Sequence, residues 1–96
     1  MLHTLNCSPG HPAVQDCIAL LQQADALLLL GDGVYIALEN SQGWQALQAS
    51  GATLHVLEAD ARAAGVQQRL APCFTLVDDA GFVALSELHA QHMAWY

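Results

Sequence analysis

The chain has 96 residues, of which 54% are hydrophobic and only 11% are charged. This length suits one domain over residues 1–96, and the apolar excess predicts that another protein covers part of the surface. Two arginines, no lysine and nine acidic residues give a formal charge of −7. Because such a surface repels phosphate backbones, we expect no direct binding of nucleic acid.

The first residues of the chain lack the basic and apolar regions of a secretory signal. No apolar stretch approaches the roughly 20 residues that a membrane-spanning helix needs. The sequence therefore predicts a cytoplasmic protein with no membrane partner.

Residues 26–30 are five consecutive apolar residues, a pattern typical of a central parallel strand that is covered on both faces. Gly31-Asp32-Gly33 breaks this strand, and Asp32 is a suitable N-cap for a short helix over residues 34–38. At the start of the chain, residues 2–6 are predicted to form a strand. Pro12 then starts a helix over residues 13–23.

The second half of the chain continues to alternate helices and strands. Asn40 and Ser41 are expected to cap a helix that Gly51 stops, and Gly65 is expected to end the helix over residues 58–64. Asp78 or Asp79 is expected to cap the last helix. The remaining predicted strands are residues 53–57, 73–77 and 93–96.

This alternation predicts an α/β fold: a single three-layer doubly wound domain with a mainly parallel sheet of about five strands. Ligands of such sheets bind at the carboxyl ends of the strands. The residues expected at that edge are Cys7, Gly31-Asp32-Gly33, Glu58 and Asp78-Asp79.

The cysteines are the candidate reactive groups. Their odd number and the lack of Cys-x-x-Cys spacing predict free thiols. Cys17 lies on the apolar stripe of the first helix. Its position is compatible with two roles, a buried structural thiol or a sulfur carrier. Cys7 precedes that helix, with His11 nearby to favour a thiolate. Cys73 begins a predicted buried strand and is expected in the core.

Other patterns favour structural roles. His89 and His92 could share a helix face, but zinc needs three or four ligands, so we predict no metal site. Gly31-Asp32-Gly33 lacks the dinucleotide fingerprint, and no cofactor is expected. Asp78-Asp79 is better explained as a helix cap than as an acid/base pair. Trp44, Trp95 and Tyr96 are candidate interface anchors.

Several segments, in order and at matching spacing, resemble the TusB/DsrH family across the whole chain. They are the opening residues 1–6 with Ser8-Pro9, Leu28-Leu29-Leu30 leading to Asp32-Gly33-Val34, Leu57 with Asp60 and Gly65, Val77-Asp78 with Phe82-Val83 and Leu85, and Ala94-Trp95. Cys7 and Ala64 stand where basic residues are frequent in the family, which again disfavours a contact with tRNA.

The resemblance implies a DsrE/DsrF/DsrH-like fold and a heterohexamer with TusC-like and TusD-like sister subunits. Such complexes relay persulfide sulfur toward 2-thiolation of the tRNA wobble uridine, and their main sulfur-carrying cysteine is on a sister subunit. A mainly structural, non-catalytic role is therefore expected. One alternative is a DsrH-type subunit of a DsrEFH complex in sulfur oxidation, with Cys17 as persulfide carrier. Another is a stand-alone homo-oligomeric binding module.

Overall fold

Five parallel strands form one sheet in the computed structural model, which describes residues 1–41 and 43–95. The strand order β4-β3-β2-β1-β5 places β2 at the centre and leaves β4 and β5 at the edges. This architecture confirms the predicted α/β class. The strands are β1 Leu2–Leu5, β2 Ala26–Leu29, β3 Thr53–Leu57, β4 Thr75–Val77 and β5 His92–Trp95.

Helices cover the two faces of the sheet unequally. The larger hydrophobic cluster packs α1, α2, α3 and a 3₁₀ helix on one face, whereas the smaller cluster holds α4 on the other. These helices are α1 Pro12–Leu20, the 3₁₀ helix Gly31–Ala37, α2 Trp44–Ala49, α3 Glu58–Ala63 and α4 Asp79–Leu88. No helix of the described residues is long and apolar enough to cross a membrane.

The central strand is buried on both faces, as its unbroken apolar run predicts. Leu27 and Leu29 belong to the larger cluster, and Ala26 and Leu28 belong to the smaller one. Successive side chains of a strand point to opposite faces, so one short segment contributes to both cores. The sheet is thereby held between two apolar layers.

The helix after β2 differs from the prediction. It is a 3₁₀ helix that begins at Gly31, and its N-cap residue Leu30 makes no side-chain capping bond, so Asp32 is not the cap. Gly33 lies against the end of β1: a Cβ at this position would be 2.2 Å from the Leu5 carbonyl oxygen. The close approach of two backbones, rather than a cap, fixes this turn.

Two helix boundaries also differ. α1 ends at Leu20 rather than at residue 23, because the backbone of Leu21 is extended; the Leu21 N–H makes the last bond of the helix, to the Cys17 carbonyl oxygen. α2 has Gly43 as N-cap without a side-chain bond, and the Ser41 hydroxyl instead donates to the Ile36 carbonyl oxygen at 2.6 Å. The predicted cap at Asn40 and Ser41 is therefore wrong, because Ser41 closes the preceding turn.

The remaining boundaries agree more closely with the sequence. Asp78 caps α4, since its Oδ1 accepts the Gly81 N–H at 2.8 Å. Gly65 follows α3 with a φ of 73°, which favours glycine. β4 begins at Thr75 rather than at Cys73, which lies in the preceding turn. Tyr96, predicted in the last strand and as an interface anchor, lies outside the described residues.

Candidate functional site

Cys17 is part of the core of the molecule. The structure places it on the inner face of α1 with 0% exposure, in the larger hydrophobic cluster. Burial raises the pKa of its thiol to about 12. Sulfur transfer requires a thiolate that can reach its partner. In this conformation Cys17 therefore has the properties of a structural thiol, and its role as a persulfide carrier stays a prediction.

Cys7 and Cys73 are also free thiols, as predicted. Cys7 is only 7% exposed, and burial raises its pKa. Its Sγ contacts Asn6 Oδ1 at 3.8 Å, whereas His11 accepts the Ala13 N–H at 3.0 Å and caps α1. Burial also raises the pKa of Cys73, which is half-buried. None of the three environments favours a thiolate.

The carboxyl edge of the sheet brings together part of the predicted set. Asp60 on α3 accepts the Gly31 N–H at 2.7 Å and so joins α3 to the first residue of the 3₁₀ helix. A cavity of about 250 Å³ at this joint is lined by Gly31, Asp32, Tyr35, Asp60, Ala63 and Ala64. Asp60 thus holds the start of the 3₁₀ helix in place.

Two other carboxylates of this edge also serve structure. Glu58 pairs with Arg62 one turn along α3, and Asp78 caps α4. Both partners are local in sequence, so neither carboxylate is poised for acid/base chemistry. The predicted ligand edge therefore carries no cluster of nucleophile and base.

His3 is the centre of a polar network that the sequence patterns do not indicate. It is 1% exposed, and its Nδ1 accepts a hydrogen bond from the indole Nε1–H of Trp95 at 3.1 Å. Since an indole N–H can only donate, the proton of a neutral imidazole is on Nε2. That nitrogen lies 3.0 Å from Asp25 Oδ2 and donates to it.

Asp25 anchors the other end of this network. Burial raises the pKa of its carboxyl group, but hydrogen bonds from the Met1 ammonium, His3 and the Gln22 N–H outweigh burial and lower the pKa overall. The carboxylate is therefore the stable form. The network joins β5, β1 and the start of β2, and it contains no serine or cysteine side chain. Its groups bond one another across the strands, so it positions them.

His55 on β3 is half-buried, and its Nδ1 is the one buried side-chain polar atom of the described residues that lacks a hydrogen-bond partner. Burial lowers the pKa of this histidine, and the charge of His89 lowers it further. A cavity of about 260 Å³ beside it is lined by Gln48, Ala52, Thr53, Leu54, His55, Cys73 and Thr75. Among residues 1–41 and 43–95, no group of three or more potential ligands could hold a metal ion.

Large apolar side chains remain exposed on the surface. Leu20, Met93 and Met1 are 53%, 38% and 39% exposed beside β5, and Leu88 is 77% exposed on α4. The predicted anchors Trp44 and Trp95 are half-buried, and the indole of Trp44 donates to the Glu39 carbonyl oxygen at 3.0 Å. The surface therefore offers contact area without a reactive centre.

Comparison with known proteins gives consistent similarity along the chain. A family model described as "DsrH like protein" matches residues 7–92. Protein TusB of Pectobacterium atrosepticum is 38% identical over 95 residues, covering 99% of this chain and 100% of the relative. Over the same coverage, Protein TusB of Klebsiella pneumoniae subsp. pneumoniae is 37% identical and Protein TusB of Sodalis glossinidius is 41% identical.

Proposed function

Because the chain belongs to the DsrH-like family, we propose that it is an accessory subunit of a sulfur relay that serves 2-thiolation of the tRNA wobble uridine. The observation that carries the proposal is 37–41% identity to Protein TusB over 95 residues. In this role the chain holds an assembly together, while a cysteine on a sister subunit carries the sulfur.

The state of the thiols supports a non-catalytic role. A persulfide carrier needs an exposed thiol of lowered pKa. Burial instead raises the pKa of Cys7, Cys17 and Cys73. Low exposure also denies a donor protein access to the first two sulfur atoms. The chain is therefore better suited to binding subunits than to relaying sulfur.

We propose TusC-like and TusD-like sister chains as the partners, in a heterohexamer. Exposed apolar side chains on a small domain with only 11% charged residues support a protein partner. The formal charge of −7 disfavours a direct contact with tRNA, so binding of the nucleic acid falls to other subunits.

A deletion strain tests the proposal. Loss of the gene should remove 2-thiouridine from tRNA, measured by mass spectrometry of digested tRNA. A plasmid copy with all three cysteines replaced by alanine should restore the modification if it accumulates to the wild-type level. Normal thiolation in the deletion strain would refute the proposal, and failure of that well-expressed copy would refute the accessory role.

A DsrH-type carrier role for Cys17 in sulfur oxidation is the alternative proposal, suggested by the name of the matching family model. It requires α1 to open, because Cys17 is 0% exposed. Incubation with a persulfide donor should then add about 32 Da to the peptide that holds Cys17, the mass of one sulfur atom on a thiol.

A stand-alone homo-oligomeric binding module is the other alternative. It would give a uniform oligomer of this chain with no affinity for sister chains.

A further inference from the structure

The outer edge of β5 is unprotected. Within residues 1–41 and 43–95, β5 pairs only with β1, and its own residues His92–Trp95 include no Asp, Glu, Lys, Arg or proline. Its register with β1 runs without a bulge from His92 to Trp95. Natural sheets block exposed edges with charges, prolines, bulges or covering loops, because an open edge pairs readily with other chains.

The backbone of β5 offers hydrogen-bonding groups on this open side. The Gln91 carbonyl oxygen accepts the Leu2 N–H at 2.9 Å, so Gln91 turns its polar groups toward β1. Alternate residues of a strand turn these groups to opposite edges. Met93 and Trp95 therefore also face β1, whereas His92 and Ala94 direct an N–H and a C=O each outward.

A cavity with both apolar and polar walls lies beside this edge. Met1, Leu20 and Met93 line a cavity of about 550 Å³, whose other lining residues are His3, Gln22, Asp25 and Gln91. The three apolar side chains are 38–53% exposed. A strand added to β5 would place alternate side chains over this cavity, which gives backbone bonding and apolar burial at one place.

Charge distinguishes the possible occupants. Both arginines lie between β3 and β4, toward the opposite edge of the sheet. The chain carries a formal charge of −7, and exposed Asp16 lies on α1, which packs on β5. A second copy would bring like charges together, so the edge is complementary to a chain with lysine or arginine.

We propose that the β5 edge docks an edge strand of a different protein chain, apolar toward Met93 and flanked by basic side chains. Docking extends the five-stranded sheet across the interface. The inference rests on the proposed function, which makes the sister subunits the candidates to supply that strand. The proposed function leaves the contact surface open, whereas this inference assigns it to His92 and Ala94 on the β5 edge.

Ala94 allows a sharp test, because its N–H points away from β1. Ala94→Pro removes that outward donor, and Ala94→Asp places an unpaired charge in the contact. Ala84→Asp on the exposed side of α4 is the charge-matched control. Each variant is co-expressed with the TusC-like and TusD-like chains of the same genome, and binding is measured by affinity capture and titration.

Wild type and Ala84→Asp should bind alike, whereas both Ala94 variants should lose at least tenfold in affinity with unchanged circular dichroism. Wild-type affinity should also fall as salt increases. If the sister chains bind all four proteins equally, the β5 assignment is overturned and the proposed function stands. If wild type captures neither sister chain, both proposals fail. A dimer of this chain alone that Ala94→Asp dissociates would identify a second copy as the occupant and refute the proposal.

Discussion

The indole Nε1–H of Trp95 donates to Nδ1 of His3 at 3.1 Å, joining residues 92 positions apart. The two rings are stacked with an interplanar angle of 20° and a centroid separation of 6.3 Å. This contact fastens β5 to β1 and fixes the His3 tautomer. Because His3 is buried, its Nδ1 acceptor relies on the Trp95 indole for a hydrogen-bond partner.

Replacing Trp95 by phenylalanine should keep most of the ring contact but leave Nδ1 of His3 without a donor. We expect a loss of about 1–3 kcal/mol in the free energy of unfolding, the usual cost of an unsatisfied buried acceptor. Urea titration measures it. Trp44→Phe is the control, since the indole of Trp44 donates to a carbonyl oxygen at an exposed site. An equal loss of unfolding free energy in the two variants would contradict a special role for the Trp95–His3 hydrogen bond.

Asp25→Asn should flatten the acid side of the stability curve. The pKa of Asp25 is lower in the folded chain than in the unfolded chain. The unfolded chain therefore binds the proton more readily. The carboxylate consequently stabilises the fold at pH values above the unfolded-state pKa of about 3.9. The wild type loses this stabilisation as the pH falls from about 5 through the folded pKa. Unfolding measured at a series of pH values should show a smaller slope for the variant, and identical slopes would contradict the prediction.

Gly33→Ala should destabilise the fold strongly, because the new Cβ would lie 2.2 Å from the Leu5 carbonyl oxygen. Either the 3₁₀ helix or the end of β1 must move, and overpacking of this kind costs about 1–3 kcal/mol or more. Gly10→Ala is the matched control, because nothing lies within 4 Å of its added Cβ. Thermal unfolding of both variants gives the comparison. A Gly33 variant as stable as the Gly10 variant would show that the backbones separate without cost.

Alkylation should rank the thiols by accessibility. In the native protein, half-buried Cys73 should react with iodoacetamide first, and Cys17 should react only when the protein unfolds. Mass spectrometry of the digested protein identifies each site, and a Cys73→Ser variant confirms the fast phase. Modification of native Cys17 at the rate of Cys73 would revive the carrier hypothesis.

His55→Leu should become relatively more stable as the solution is acidified. The pKa of His55 is lowered in the fold. Below about pH 6.5, the usual histidine value, the unfolded wild type therefore takes up a proton that the folded chain binds less readily. The variant lacks this linkage and also removes the unpartnered Nδ1. The free energy of unfolding is measured against pH for the wild type and the variant. Two curves that stay parallel between neutral pH and the folded-state pKa of His55 would contradict this explanation.

The sequence predicts those features whose causes are local. The apolar run of β2 and the Asp78 cap, which bonds a residue three positions away, are both readable from neighbouring residues. The predicted Asp32 cap failed because the turn is set by the contact of Gly33 with β1, a long-range packing effect.

The candidate site was harder to predict. His3 meets partners 22 and 92 residues away, and no spacing pattern indicates such a network. For Cys17, the apolar stripe allowed two roles, and only the packing of α1 shows how completely its sulfur is enclosed.

The pairing of β1 with β5 also constrains how the molecule matures on the ribosome. β1 can pair with β2 once residues 26–29 emerge, but its other side must wait until residues 92–95 are synthesised. Nascent chains therefore expose that side of β1 until residues 92–95 have emerged.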